Sequence, residues 1–147
     1  MPEFKYAQGR ISESLQFISQ EIKEFEQDYI LKTKEDYLRD RKLQKLMDRT
    51  VENILTALIE VCGTVVTQEG IAVESYAQIL KECANLFSFS PQEQEELSKL
   101  AFQRNRLAHR YLNFRWEAIR MFIRSKPLIL RLLEKILERE KKKEPKI

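Results

Sequence analysis

Apolar residues recur at three- and four-residue steps along most of the chain, which is the period of amphipathic helices. The first such stretch predicts a helix from about residue 10 to 29. The longest predicts a second helix, which opens near Thr33 and Asp36 and ends near Gly70, where glycine permits a left-handed cap. The two apolar stripes are Ile11, Leu15, Ile18, Ile22 and Phe25, and then Leu43, Leu46, Met47, Val51, Ile54, Leu55, Leu58, Cys62, Val65 and Val66.

The rest of the chain also predicts helices. A short one covers about residues 75–87, and Ser90, Pro91 and Glu93 form the N-terminal signature of a helix that runs into the following basic segment. The last covers about residues 115–140 and is expected to be kinked or broken at Ser125-Lys126-Pro127. We therefore predict an all-α fold, an antiparallel bundle of four to five helices, as one domain over 1–140 with a disordered basic tail over 141–147.

The amino-acid composition agrees with an all-α fold and also predicts the cellular compartment. Three Gly and four Pro in 147 residues are too few for the turns of a sandwich or barrel. The longest apolar run, residues 53–66, is shorter than a membrane span and contains Glu60, and the N-terminus lacks the apolar core of a signal peptide. Cys62 and Cys83 are typical of reduced core thiols. These features predict a cytoplasmic protein with no membrane contact.

Positive charge is concentrated in one window. Residues 101–124 contain six arginines, no lysine and one acid, Glu117, although the whole chain carries only +3. Arginine binds phosphate bidentately and stays charged, so the window suggests a site for a polyanion. A solvated helix face whose arginines pair with acids such as Glu93, Glu95 and Glu96 explains the window equally well.

The only histidine, His109, lies inside this window, in the segment RNRLAHRY at residues 104–111. Its imidazole can take up or release a proton, and the same segment supplies arginine cations, the amide of Asn105 and the phenol of Tyr111. On one helix Asn105 and His109 would share a face, so that the amide could orient the imidazole, whereas Arg104 would converge with His109 only through its long side chain, a local distortion or a second subunit. A surface histidine in a basic stretch is the simpler interpretation.

The same segment resembles a known motif. Arg104-x₄-His109 is the motif of the HEPN superfamily of small helical domains, and Asn105 and Tyr111 extend it to the form found in HepT-like toxins. The order of predicted helices from about residue 10 to 133 is also similar to that family. Its members usually carry a small polar or acidic residue in the middle of the second helix, near Glu60 in this chain.

The resemblance implies a function. HepT-like proteins are metal-independent ribonuclease toxins of type VII-like toxin–antitoxin pairs, with the active cleft at a homodimer interface. A minimal nucleotidyltransferase antitoxin neutralises them by transferring AMP to the motif tyrosine, here Tyr111. Cleavage of RNA, whether tRNA or mRNA, is thus expected. Some HEPN domains instead act as non-catalytic nucleotide-binding or partner-binding modules of nucleotidyltransferases, which is the alternative.

The residues themselves favour metal-free and cofactor-free chemistry. One His and two separated Cys give no plausible metal cluster. Cleavage through the 2′-hydroxyl of RNA needs a base, an acid and cations, and two copies of the chain supply two imidazoles. We assign His109 as base or acid and Arg104 as the group that stabilises the phosphate. Asn105 supports the imidazole or the phosphate, while Arg106 and Arg110 contact the RNA backbone.

The aromatic residues of the segment have several interpretations. Tyr111 is a buried hydroxyl that caps the motif turn, a stacking platform for RNA, or, by family resemblance only, the AMP acceptor. Phe102, Phe114 and Trp116 occupy apolar helical positions and are expected in the core.

Overall fold

The computed structural model describes residues 10–109 and 111–143, and within them the fold is all-α without strands. Seven helical segments follow one another in these residues. They are α1 (Ile11–Asp28), α2 (Lys34–Arg39), α3 (Arg41–Gln68), α4 (Tyr76–Leu86), α5 (Pro91–Ser98), α6 (Leu100–Arg106) and α7 (Leu112–Lys143). The predicted helical bundle is confirmed, and the number of segments is higher because two predicted helices are each divided in two.

Helix α3 forms the centre of the bundle and packs against α1, α2, α4, α6 and α7. Its predicted stripe is buried except at Leu43, which is partly buried, and Leu46, which is 47% exposed. All five residues of the α1 stripe are buried. Phe25 of α1 meets Phe122 of α7 edge to face, with ring centres 5.3 Å apart. The apolar period therefore predicted the core of both helices correctly.

Capping residues fix where the helices begin and end. The amide of Asp36 donates to the Thr33 hydroxyl at the start of α2, and Asp40 then begins a new helix by accepting from the amide of Leu43. At the end of α3, Gly70 has a φ of 73° and the amide of Ile71 donates to the carbonyl of Val66, a Schellman motif. The predicted start near Thr33 and end near Gly70 are confirmed, with a break at Asp40 that separates α2 from α3.

The helix that begins at Pro91 is also divided. Ser90 and Glu93 form a reciprocal capping box, as predicted, but the α-helix stops at Ser98 and resumes at Leu100. Helix α6 then ends at Arg106, before the histidine of the motif.

Helix α7 continues through Pro127, so of the two predicted alternatives the break is wrong. Proline removes one backbone hydrogen bond, at a cost of about 3 kcal/mol in a helix interior. Its ring is exposed, while Phe122, Ser125 and Ile129 on either side are buried. Burial of the apolar face on both sides of the proline offsets this cost and keeps the helix in one piece.

The tail predicted over 141–147 lies only partly within the described residues. Helix α7 includes Lys141–Lys143, and the remaining tail, 144–147, lies outside the described residues.

Helix α3 is long and apolar enough by composition to cross a bilayer, contrary to the expectation from residues 53–66. However, 56% of its most apolar window is buried against other helices, so these side chains form the core of the bundle.

A buried polar network ties α2, α3 and α7 together. The hydroxyl of Tyr37 donates to one carboxylate oxygen of Asp48 at 2.6 Å, and Arg115 donates to the other at 2.7 Å. Burial raises the pKa of Asp48, and the hydrogen bonds from Tyr37 and Arg115 oppose that rise. The ring of Tyr37 packs against Trp116, with centroids 5.2 Å apart. The network holds the start of α7 against α3.

We predict that Asp48→Ala lowers the free energy of unfolding by about 3 kcal/mol, because it leaves a buried hydroxyl and a largely buried guanidinium without their carboxylate. Urea denaturation measures this change. Glu52→Ala, one turn further along α3, is the matched control and should stay within about 0.5 kcal/mol. Equal effects of the two substitutions would contradict the role assigned to the network.

Candidate active site

The motif segment begins on the last turn of α6 and leaves the helix before His109. The amide of Ala108 donates to the carbonyl of Asn105 and that of His109 to Arg106, both at 3.1 Å. These three-residue steps form a tight 3₁₀-type turn. The expectation that Asn105 and His109 share an α-helical face is therefore wrong, because the helix ends between them. Both side chains are exposed, and Arg110 lies outside the described residues.

Arg104 is held between three helices. Its Nε donates to the hydroxyl of Thr56 on α3 at 2.8 Å. Its guanidinium carbon lies 5.8 Å from the ring centre of Tyr76, the first residue of α4. The side chain is partly buried, and the described residues provide no carboxylate within ion-pair distance of it. Arg104 thus presents an oriented cation whose charge is not neutralised by an acid.

Arg106 lies between two aromatic rings. Its guanidinium carbon is 4.6 Å from the ring centre of Phe102 and 5.8 Å from that of Phe114. Phe102 and Arg106 are four residues apart on α6, so they share a helix face. Phe102 is 56% exposed and Phe114 46% exposed, so the prediction that both lie in the core is wrong. Phe102 stands between the buried Ala101 and Gln103, so its ring lies on the outer face of α6, and Phe114 lies in the first turn of α7, before that helix's first buried residue.

Phe114 also contacts the histidine and the tyrosine of the motif. Its ring centre is 6.3 Å from that of His109 and 5.6 Å from that of Tyr111, edge to face in both cases. Tyr111 is 68% exposed, which excludes the interpretation of a buried hydroxyl. Trp116, in contrast, packs against the core as predicted. Phe114 therefore gathers Arg106, His109 and Tyr111 around one ring.

The basic window, residues 101–124, contains arginines that pair with acids and arginines that do not. Arg115 pairs with Asp48, and Arg120 with Glu117. Arg104 and Arg106 have no ion pair within the described part of the chain. The acids expected to neutralise the window contact other residues, since Glu93 pairs with Arg131, Glu95 with Lys81, and Glu96 accepts from Ser125. Among the described arginines of the window, Arg104, Arg106 and Arg124 thus have no ion pair with an acid, and the first two belong to the motif segment.

Metal-binding groups do not accompany the motif. Among residues 10–109 and 111–143, no three His, Cys, Asp or Glu side chains are grouped so that they could hold an ion. Cys62 and Cys83 are free and buried. The hydrogen bond with Cys83, together with burial, raises the pKa of the Cys62 thiol. Both cysteines belong to the core and lie apart from the chemistry considered for the motif.

Sequence reasoning missed the residue of α3 that contacts the motif. The resemblance pointed to the vicinity of Glu60, but Glu60 is exposed and the contact with Arg104 is made by Thr56, one turn earlier. Thr56 lies beside the apolar stripe of α3, and a polar residue at the edge of a buried stripe is the signal that could have identified it. Tyr76 carried no such signal, because its approach to Arg104 depends on how α4 packs on α6.

Comparison with protein families identifies the chain. It matches the family described as Ribonuclease HepT-like over residues 15–139, from α1 to near the end of α7 and including the whole motif. The chain therefore belongs to the HepT-like ribonuclease family, within the HEPN superfamily. No curated protein matches it. Membership of this family supports ribonuclease activity, with RNA as the substrate.

We predict that Thr56→Val, which keeps the shape of the side chain, frees the Arg104 guanidinium by removing its hydrogen-bond acceptor. The Nε–Hε resonance of Arg104, assigned with the Arg104→Lys variant, should exchange faster with water in ¹H–¹⁵N spectra. Thr50→Val is the control, since the Thr50 hydroxyl donates to the carbonyl of Leu46 on its own helix. An unchanged Arg104 resonance in Thr56→Val would show that the contact does not order the guanidinium.

Proposed function

We propose that the protein is a metal-independent endoribonuclease toxin that cleaves RNA in a homodimeric cleft. The strongest support for this proposal is the arrangement of Arg104 and His109. Arg104 is oriented by Thr56 and Tyr76, no acid among residues 10–109 and 111–143 pairs with it, and the tight turn that follows it exposes His109. A fixed cation close in sequence to an accessible imidazole supplies two of the groups that cleavage of a phosphodiester requires.

The chemistry follows from these groups. The imidazole of His109 accepts the proton of a ribose 2′-hydroxyl, and the 2′-oxygen attacks the adjacent phosphorus. The bond from phosphorus to the 5′-oxygen breaks, and that oxygen takes a proton from a general acid. The products are a 2′,3′-cyclic phosphate and a 5′-hydroxyl. Arg104 stabilises the negative charge that develops on the phosphoryl oxygens.

A second copy of the chain completes the set. Each chain has one histidine, whereas the reaction needs both a base and an acid. A two-fold dimer with facing motifs brings two copies of His109 and two of Arg104 to one cleft. Exposure of His109, Tyr111, Phe102 and Phe114 leaves this face of the chain accessible for such an arrangement.

The remaining polar residues of the segment have supporting roles in the proposal. Asn105 is exposed on the last turn of α6 and can bind phosphate or the imidazole of the facing chain. Arg106 and Arg110 contact the RNA backbone, whether the substrate is tRNA or mRNA. We place this activity in the cytoplasm, and it needs no cofactor.

Tyr111 is the proposed site of control. Its 68% exposure and its position two residues after His109 favour an acceptor for AMP from a minimal nucleotidyltransferase antitoxin. The phenolic oxygen attacks the α-phosphorus of ATP, loses its proton and releases pyrophosphate. The adenylate adds negative charge and bulk where the RNA backbone has to bind. Modification at this position would therefore exclude the substrate.

We predict that His109→Ala lowers the rate of RNA cleavage by at least about 10²-fold, because general acid–base catalysis contributes that much. Arg104→Ala should have a comparable effect, and both should relieve growth arrest on expression. Cleavage of a mixed RNA substrate by the purified protein measures the rate.

Arg120→Ala is the matched control, because Arg120 belongs to the same basic window but is exposed and paired with Glu117. It should retain nearly full activity. Full activity of His109→Ala would refute the mechanism, and activity lost equally in all three variants would indicate a general charge effect. Absence of cleavage by the unmodified wild-type dimer would favour the non-catalytic module.

We predict that co-expression with a cognate nucleotidyltransferase raises the intact mass of the chain by one or more AMP units, and that Tyr111→Phe abolishes the gain. Mass spectrometry of the intact chain, expressed alone and with the partner, tests this. A gain that persists in Tyr111→Phe would place the modification elsewhere, and no gain in either would remove the proposed control.

A further inference from the structure

Phe102, the aromatic residue of α6, is exposed beside an arginine that has no ion pair among the described residues. It is 56% exposed, and the Arg106 guanidinium lies 4.6 Å from its ring centre. Arg106 makes no ion pair within the described part of the chain, and its one side-chain hydrogen bond, to Gln103, is long at 3.4 Å. An apolar ring beside a free cation is suited to a ligand that has both a flat π-face and a negative charge.

Phe114, the neighbouring exposed aromatic residue, contacts more side chains than Phe102 does. It contacts Arg106, His109 and Tyr111, so its surroundings are already filled by side chains of the motif. Phe102 has one such partner among the described residues, namely Arg106. A ligand can thus stack on Phe102 without displacing the histidine or the tyrosine. Contacts run from Phe102 through Arg106 and Phe114 to His109, so two side chains connect this ring to the motif histidine.

We propose that Phe102 and Arg106 form a subsite for an unpaired nucleobase of the RNA substrate, next to the scissile phosphate. The base stacks on the Phe102 ring, and Arg106 binds the phosphate of the same nucleotide. This subsite rests on the proposed ribonuclease function. Because every base has a π-face, stacking tolerates sequence but requires an unpaired nucleotide. The subsite therefore selects single-stranded positions for cleavage.

Binding of a 2′-O-methyl oligoribonucleotide containing 2-aminopurine tests the proposal with the intact wild-type protein, since this probe lacks the attacking hydroxyl. Stacking should quench the 2-aminopurine fluorescence. Phe102→Ala should weaken binding roughly ten-fold and remove the quenching, while Phe102→Trp should retain both. Arg106→Gln should weaken binding and reduce the dependence of affinity on salt by about 0.7 in the log–log slope, as expected for one lost phosphate contact on a single strand.

Phe17→Ala is the matched control, because Phe17 is 44% exposed on α1 and outside the motif. If Phe102→Ala binds the probe as tightly as Phe17→Ala does, the subsite is refuted, and the ribonuclease proposal stands provided that His109→Ala still abolishes cleavage. If Phe102→Ala dissociates the dimer in sedimentation experiments, the ring is a contact between subunits and the proposal is overturned. If the wild type neither binds nor cleaves RNA, the proposed function fails, and the subsite fails with it.

Discussion

Burial of α3 is the constraint on which the site depends. This helix is surrounded by five others, so a polar side chain on it has to find a partner or remain at the edge of the core. Two of its polar residues reach the arginine-rich segment: Asp48 binds Arg115 and Thr56 binds Arg104. The segment between these arginines contains the end of α6, the motif turn and the start of α7. Both ends of the candidate site are therefore anchored to the most buried helix of the fold.

The two contacts with α3 differ chemically, because Arg115 binds a carboxylate and Arg104 binds a neutral hydroxyl. Asp48 and Arg115 form a largely buried ion pair, whose loss would remove the carboxylate from a largely buried guanidinium. Arg104 receives a neutral hydroxyl and an aromatic face instead, so its position is restricted while its positive charge stays available. A carboxylate in the place of Thr56 would have neutralised the cation that the proposed reaction needs. The same helix thus holds one arginine for structure and another for the proposed chemistry.

The sequence predicted those features that depend on local period and capping. The stripes of α1 and α3, the capping boxes at Thr33 and Ser90 and the cap at Gly70 all follow from residues close together in the chain. A break at Pro127 does not occur because burial on both sides of the proline outweighs one missing hydrogen bond. Phe102 and Phe114 were expected in the core because their apolar character was visible, whereas the exposed helix face that each occupies was not. Thr56 and Tyr76 were missed because contacts across 28 or more residues depend on helix packing.

Chemical analysis of the cleaved RNA ends is the most direct test of the central claim, that the motif cleaves RNA without a metal through the 2′-hydroxyl. The wild-type protein is incubated with single-stranded RNA in excess EDTA, and the fragment termini are identified by mass spectrometry. We expect undiminished cleavage, with 2′,3′-cyclic phosphate and 5′-hydroxyl ends. Cleavage that stops in EDTA, or fresh fragments with 3′-hydroxyl and 5′-phosphate ends, would contradict it.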